Sequence, residues 1–230
     1  MKKSLIQAVA LSSGLLLTAS ASAEVTGNVG AVSEYLWRGV AQSNGAAVQG
    51  GVDYAHDSGF YLGTWASNVD FGDGTSYELD IYAGFGGNIT EDLSWDINYL
   101  YYGYPDAPGS IDFGEVTVGF AWKGFDASYS HTIHGGDDIA ADPLDSKDMM
   151  YAQANYSHAL TEKLTLGLHY GYSKGDVITS WYGTDSYSEY NVSLSTATDF
   201  GDISFMVSKT DLDDDDARLV VGYSYGFNML

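Results

Sequence analysis

Leu93, Trp95, Ile97, Tyr99 and Tyr101 alternate with Ser94, Asp96 and Asn98. A period of two sends apolar and polar side chains to opposite faces of a β-strand. Leu164, Leu166, Leu168, Tyr170 and Tyr172 repeat the pattern, as do Leu219, Val221, Tyr223, Tyr225 and Phe227. About twelve such runs can be read. The first six are Val25 to Arg38, Ala46 to Asp57, Phe60 to Asp70, Ser76 to Ile89, Leu93 to Tyr104 and Asp112 to Trp122. The second six are Phe125 to His134, Met149 to His158, Leu164 to Lys174, Tyr187 to Thr198, Asp202 to Thr210 and Ala217 to Phe227. Runs of about ten residues suit a tilted membrane strand, and an even count returns both termini to one side.

The connections alternate short and long. Ser58-Gly59, Thr90-Glu91-Asp92, Lys123-Gly124, Leu160 to Lys163 and Asp199-Phe200-Gly201 are tight and carry the Gly and Asp that hairpin turns require. Phe71 to Thr75, Pro105 to Ile111, Gly135 to Lys147 and Gly175 to Ser186 are longer. The expected fold is therefore all-β, an antiparallel transmembrane β-barrel of about 12 strands, with short turns in the periplasm and long loops outside. In a soluble sandwich the apolar face would be the inside. With 28 Gly, 19 Tyr, three Pro and no Cys, the chain is poorly supplied for such a core and well supplied for a lipid-facing wall with aromatic girdles.

The mean hydropathy is −0.12, and no segment beyond the start approaches the roughly 20 apolar residues of a spanning helix. At the start, Lys2 and Lys3 precede an apolar stretch from Leu5 to Leu17 and the small residues Ala21-Ser22-Ala23. This reads as a signal peptide over residues 1–23, cleaved near Ala23, followed by one barrel domain over 24–230. Nine Lys and Arg stand against 31 Asp and Glu, a formal charge of −22, or −24 once Lys2 and Lys3 are removed. Such a balance argues against nucleic acid as a partner.

If the apolar set faces lipid, the alternate set lines the lumen: Glu34, Arg38, Asp53, Asn68, Glu78, Asp80, Asp96, Asn98 and Glu115. Carboxylates at close quarters attract cations and repel anions. Against an open conduit stands a second reading, in which Arg38 and Arg218 pair with these acids and fill a narrow barrel with a structural network. Tyr35, Trp37, Tyr101, Tyr102, Trp122, Tyr156, Tyr172 and Tyr223 are expected as interface anchors. Asp211, Asp213, Asp214, Asp215 and Asp216 offer clustered oxygens for a weakly held divalent cation, without the Gly and distal Glu of an EF-hand. No cofactor is expected. The five His show no metal-site spacing, and Ser130 and His131, being adjacent, face opposite sides of a strand, so no enzyme is expected.

The N-terminal stretch resembles the TorF-type porin family of exported bacterial proteins. The likeness rests on Val32-Ser33, Tyr35, Arg38-Gly39 and Gln42-Ser43, then Ala47 to Gly51 with Asp53-Tyr54 and His56. It continues through Ser58 to Tyr61, Gly63, Trp65, Ser67 to Asp70, Glu78, Asp80, Tyr82 and Gly84. Beyond Gly87 the resemblance is one of strand rhythm and size. It implies an outer-membrane location in a Gram-negative bacterium and a porin-like role; taken with the acidic lumen, the expected function is passive diffusion of small polar or cationic solutes. The expected partners are the lipid bilayer, lipopolysaccharide, small solutes and divalent cations. The competing expectation is a non-conducting structural or surface-interaction barrel with acidic, divalent-cation-binding loops.

Overall fold

The computed structural model describes residues 23–141 and 147–229. Nearly all of the signal segment expected at 1–23, and Asp142 and Asp145 of the longest loop, lie outside the described residues. Twelve long strands close one barrel: β1 (Glu24–Val32), β4 (Ala47–Ala55), β5 (Phe60–Asn68), β6 (Tyr77–Asn88), β7 (Leu93–Gly103), β8 (Phe113–Trp122), β9 (Phe125–Gly135), β10 (Met150–Ala159), β11 (Leu164–Lys174), β12 (Ser186–Thr198), β13 (Gly201–Thr210) and β14 (Arg218–Asn228). Each pairs antiparallel with its chain neighbour, and β1 closes the ring against β14, with Val29 opposite Tyr225 on one side and Gly50 of β4 on the other. Closure leaves no unpaired edge, which a strand protein in hydrocarbon requires. All five tight turns gather at one end of the barrel with both termini; the six long loops gather at the other.

The parity of each strand matches the alternation in the sequence. Trp95, Ile97, Tyr99, Leu166, Leu168, Val192, Leu194, Val221 and Tyr223 all share the outer face, through registers such as Ile97↔Val118, Leu168↔Val192 and Val221↔Phe205. Large apolar side chains cover that face, with Val48 and Leu219 each 66% exposed. A continuous apolar exterior of this extent is stable against lipid and not against water.

Two departures from the sequence reading shape the interior. The first strand was expected to run to Arg38, but it stops at Val32, and residues 33–46 fold back into the mouth of the barrel. They form a small hairpin, β2 (Leu36–Trp37) with β3 (Val40–Ala41). The reversal needs two left-handed residues in succession, Arg38 at φ 49° and Gly39 at φ 80°, the second taken readily only by glycine. Ser43 Oγ accepts the Tyr35 N–H and Tyr35 C=O accepts the Gln42 N–H, so the infolded backbone is hydrogen-bonded on its own terms. The second departure is a short helix, α1 (Asp176–Tyr182), in the loop after β11; it turns Val177 and Ile178 fully inward. The apolar core thus sits inside the barrel at the long-loop end. It has two clusters, one around Phe113, Met149, Ile178 and Tyr187 and one around Tyr35, Leu36 and Val220, and Trp37 packs against both.

Candidate functional site

The lumen has two levels. At the long-loop level every strand of the wall contributes at least one inward side chain that is almost fully buried. Around the ring these are Val32, Ala47, Ser67, Glu78, Tyr102, Glu115, Thr132, Tyr151, Ser173, Glu189, Thr210 and Val220. The side chains they meet come from residues 33–46 and α1. Trp37 lies edge-on to Tyr102, Phe113 and Trp181, each with ring centroids about 6 Å away, an arrangement favoured by the ring quadrupoles. Tyr187 donates its hydroxyl hydrogen to Arg38 C=O at 3.0 Å. The mouth of the barrel is a filled constriction.

Three groups of charge are buried in that layer. Arg38 Nη2 meets Glu115 Oε2 at 2.6 Å, with both side chains at most 5% exposed. The same guanidinium lies 4.2 Å from the Trp37 ring centre and 4.1 Å from that of Tyr151. Tyr151 donates to Glu189 Oε1, which also lies 3.2 Å from His169 Nε2. Glu78 Oε1 accepts the Tyr35 hydroxyl at 2.8 Å, and Asp80 follows on the same face of β6. At the rim, Arg218 bridges Glu34 at 3.1 Å and Asp215 at 3.5 Å. The pairing of Arg38 and Arg218 with lumen acids is thus present.

Below the constriction most inward positions become short and polar, and twelve are half-exposed: Thr26, Asn28, Ser94, Asp96, Asn98, Asp126, Ser128, Asn155, Asn191, Ser193, Ser204 and Ser224, while Asp53, Tyr61 and Thr165 stay buried. The two large aromatics of this level lie against the wall. Tyr61 and Gly84 stand opposite each other across β5 and β6, as do Gly63 and Tyr82. Each ring covers the glycine of the neighbouring strand and reaches the strand beyond, where Tyr61 donates to Asp96 at 2.8 Å and Tyr82 donates to Asp53. A Cβ at Gly63 would fall 2.6 Å from the Tyr82 ring, so the missing side chains are what let the rings lie flat. The result is a polar vestibule open at the short-turn end.

Asp53, Glu78, Asp80, Asp96, Asn98 and Glu115 lie on the inner face of the wall. Asn68 does not. Ser67 takes the inward position, and Asn68 ends β5 on the outer face, where its Oδ1 accepts the Val48 N–H at 2.7 Å and its amide donates to Ala46 C=O. Glu34 and Arg38 are not wall residues; they belong to the infolded segment. Tyr35, Trp37 and Tyr102 are not interface anchors but are turned into the lumen, whereas Tyr101, Trp122, Tyr156, Tyr172 and Tyr223 face outward. Tyr151 was missed as a lumen residue, although its odd position on β10, shared with Gln153 and Asn155, would have placed it there.

In the acidic run, Asp211 accepts the Ser188 N–H at 2.7 Å, and Asp215 accepts the Thr210 N–H and hydroxyl at 2.9 and 2.8 Å. Both are occupied in holding turns, and among the described residues no three acidic or His side chains converge as a metal site.

No curated protein matches the chain. Among solved structures, the KdgM porin aligns with TM-score 0.58 at 13% identity, covering 88% of this chain and 99% of its own. A KdgM porin in complex with disordered oligogalacturonate aligns at 0.56 and 11%, covering 88% and 99%. The NanC porin aligns at 0.60 and 9%, covering 90% and 100%. At these identities the likeness establishes a shared fold, a closed 12-stranded barrel of porin type. Residues 17–226 match the family described as "Bacterial protein of unknown function (Gcw_chp)", and the chain belongs to that family.

Proposed function

We propose that this chain is an outer-membrane, porin-like channel for passive diffusion of small polar or cationic solutes. The observation that carries the reading is the acid-lined, half-exposed vestibule inside a closed barrel whose exterior is apolar. Water reaches Asp96, Asn98 and Asp126, and walls of low dielectric focus the field of such carboxylates into the lumen. The signal segment and the TorF-type likeness of the first three hairpins support export to the outer membrane. Cleavage near Ala23 and loose association of the acidic loops with lipopolysaccharide through divalent cations belong to the same reading. An oligogalacturonate, the ligand in the KdgM complex, is a polyanion. The carboxylates here oppose a ligand of that kind, so the cargo is of the other sign or neutral. Because residues 33–46 and α1 narrow the mouth, a shift of residues 33–46 away from the wall widens the path.

The test is a planar-bilayer recording of the purified, folded barrel across a salt gradient. Cation-selective steps are expected. Asp96→Asn with Asp126→Asn should reduce the selectivity, most strongly at low ionic strength, where screening is weakest. Anion selectivity would overturn the cationic cargo, and a folded barrel with no conductance would turn the assignment to a non-conducting barrel.

A further inference from the structure

A buried arginine is expensive unless its surroundings are built for it. Arg38 is not part of the wall. It arrives on the infolded segment, held in a left-handed conformation at φ 49°. The wall meets it with a carboxylate at 2.6 Å and an aromatic face at 4.1 Å, from Glu115 and Tyr151 respectively. Trp37, on the infolded segment itself, covers the other side at 4.2 Å. A carboxylate in hydrogen-bond contact and two aromatic faces make a receptor for a planar, delocalised cation.

The fit is incomplete. Arg38 Nη1 is buried without a partner, and so is Glu189 Oε2. Glu189 belongs to the same pocket. Its other oxygen takes the hydroxyl hydrogen of Tyr151, the ring on which Arg38 rests, and its Cβ would stand 2.7 Å from a Cβ at Gly39. One wall acceptor and one guanidinium donor are therefore left unsatisfied around the Tyr151 ring, and they do not pair with each other. A free cation is not tethered and can take the orientation that the carboxylate and the Tyr151 ring favour.

We infer that Glu115, Tyr151 and Glu189 form a binding site for guanidinium-bearing solutes, and that Arg38 occupies it as an internal competitor. The inference rests on the channel reading and names its cargo class and regulation. An entering guanidinium takes the place of Arg38, releases residues 33–46 from the wall, and so opens the path it will use. The site is a binding station, with no bond made or broken.

Binding is measured on the full-length mature barrel in detergent micelles, with methylguanidinium as probe. The readouts are the fluorescence of Trp37 and Trp181, whose rings stand 6.0 Å apart, and thermal stability. Wild type should bind methylguanidinium saturably and methylammonium more weakly. Arg38→Ala vacates the site and should bind methylguanidinium at least tenfold more tightly than wild type, with a corresponding rise in Tm on addition of the probe. Arg38→Ala combined with Glu115→Gln should lose at least that tenfold. If Arg38→Ala does not fold, Arg38→Gln, which keeps the aliphatic stem and a polar end without the guanidinium, replaces it. If neither folds, the wild-type titration decides.

Binding by Arg38→Ala no tighter than by wild type, no preference for methylguanidinium over methylammonium, or binding that survives in the double variant would each overturn the inference. The same holds for a wild-type titration without saturation. Binding is read without current, so its loss in a conducting barrel sinks this inference alone. Conversely, binding in a barrel that never conducts sinks the channel reading.

Discussion

The two levels of the lumen are made from the same twelve strands and differ in what they place inward. At the long-loop level the wall presents Tyr102, Phe113, Tyr151, Tyr187 and Glu189, all nearly fully buried against residues 33–46 and α1. At the short-turn level it presents mostly Asn, Ser, Asp and Gly, many of them half-exposed, and its two large rings are folded flat over glycines. A barrel of this size lies between those that side chains fill and those that hold a wide aqueous channel. The chain takes one solution at each end. The difference lies in side-chain volume and in whether a polar group finds a protein partner or water.

The upper level is held by groups that are hard to bury alone, so the strongest way to break the comparison is to remove one. Arg38→Ala leaves Glu115 buried and uncompensated, and breaking such a pair costs about 3–5 kcal/mol. Denaturant unfolding should show a loss of that size, and planar-bilayer conductance should rise as the mouth loosens. Asp96→Asn, at the water-reached level, should change stability by less than about 1 kcal/mol. Similar costs at the two positions would mean that the levels are not physically distinct.

Much of this architecture was legible in the alternation alone. A period of two over Leu93–Tyr101 or Leu164–Tyr172 assigns every side chain to lipid or lumen, and tight turns with Gly and Asp fix where the chain reverses. The infolded segment was not legible, because Tyr35, Leu36, Trp37 and Val40 suit a strand as well as an interior hairpin. The break from Val32 depends on the left-handed pair Arg38-Gly39 and on contacts with Tyr151, Glu115 and Tyr187, far away in sequence. The helix α1 was hidden for a related reason: Val177, Ile178 and Thr179 favour strands, and burial of the first two against the interior cluster overrides that preference. Asn68 was misassigned because a polar residue at the last position of a strand can serve the backbone of the next loop instead of the lumen.

The outer face provides the next contrast. Leu168 points to the exterior and is 42% exposed, while the next residue, His169, points inward to Asn155 and Glu189. Arginine at a mid-membrane lipid-facing site costs about 2–4 kcal/mol, whereas at this height on the lumen side it meets the Glu189 carboxylate in place of hydrocarbon. Leu168→Arg should show that loss in a folding titration in lipid vesicles, and His169→Arg much less, helped by the nearby Glu189. Equal losses would mean that the Glu189 carboxylate does not accommodate a second cation and that the outer and inner faces are not distinguished at this height.

A more modest effect tests what keeps the lower level open. Tyr61 can lie flat only because Gly84 opposite has no side chain, and in that position it donates to Asp96 at 2.8 Å. Gly84→Val puts two methyl groups where the ring now rests. The ring must swing into the lumen, losing its acceptor and adding its volume to the water-filled space. Overpacking of this kind costs about 1–3 kcal/mol, and the strand preference of valine offsets part of it. A modest fall in stability should therefore accompany a clear fall in single-channel conductance. Combining Gly84→Val with Tyr61→Ala, which removes the displaced ring, should recover the conductance although Asp96 still lacks its phenol partner. If conductance instead falls with Tyr61→Ala alone, the ring is shaping the charge at Asp96 and not clearing the path, and the openness of the lower level would then rest on its serines and asparagines.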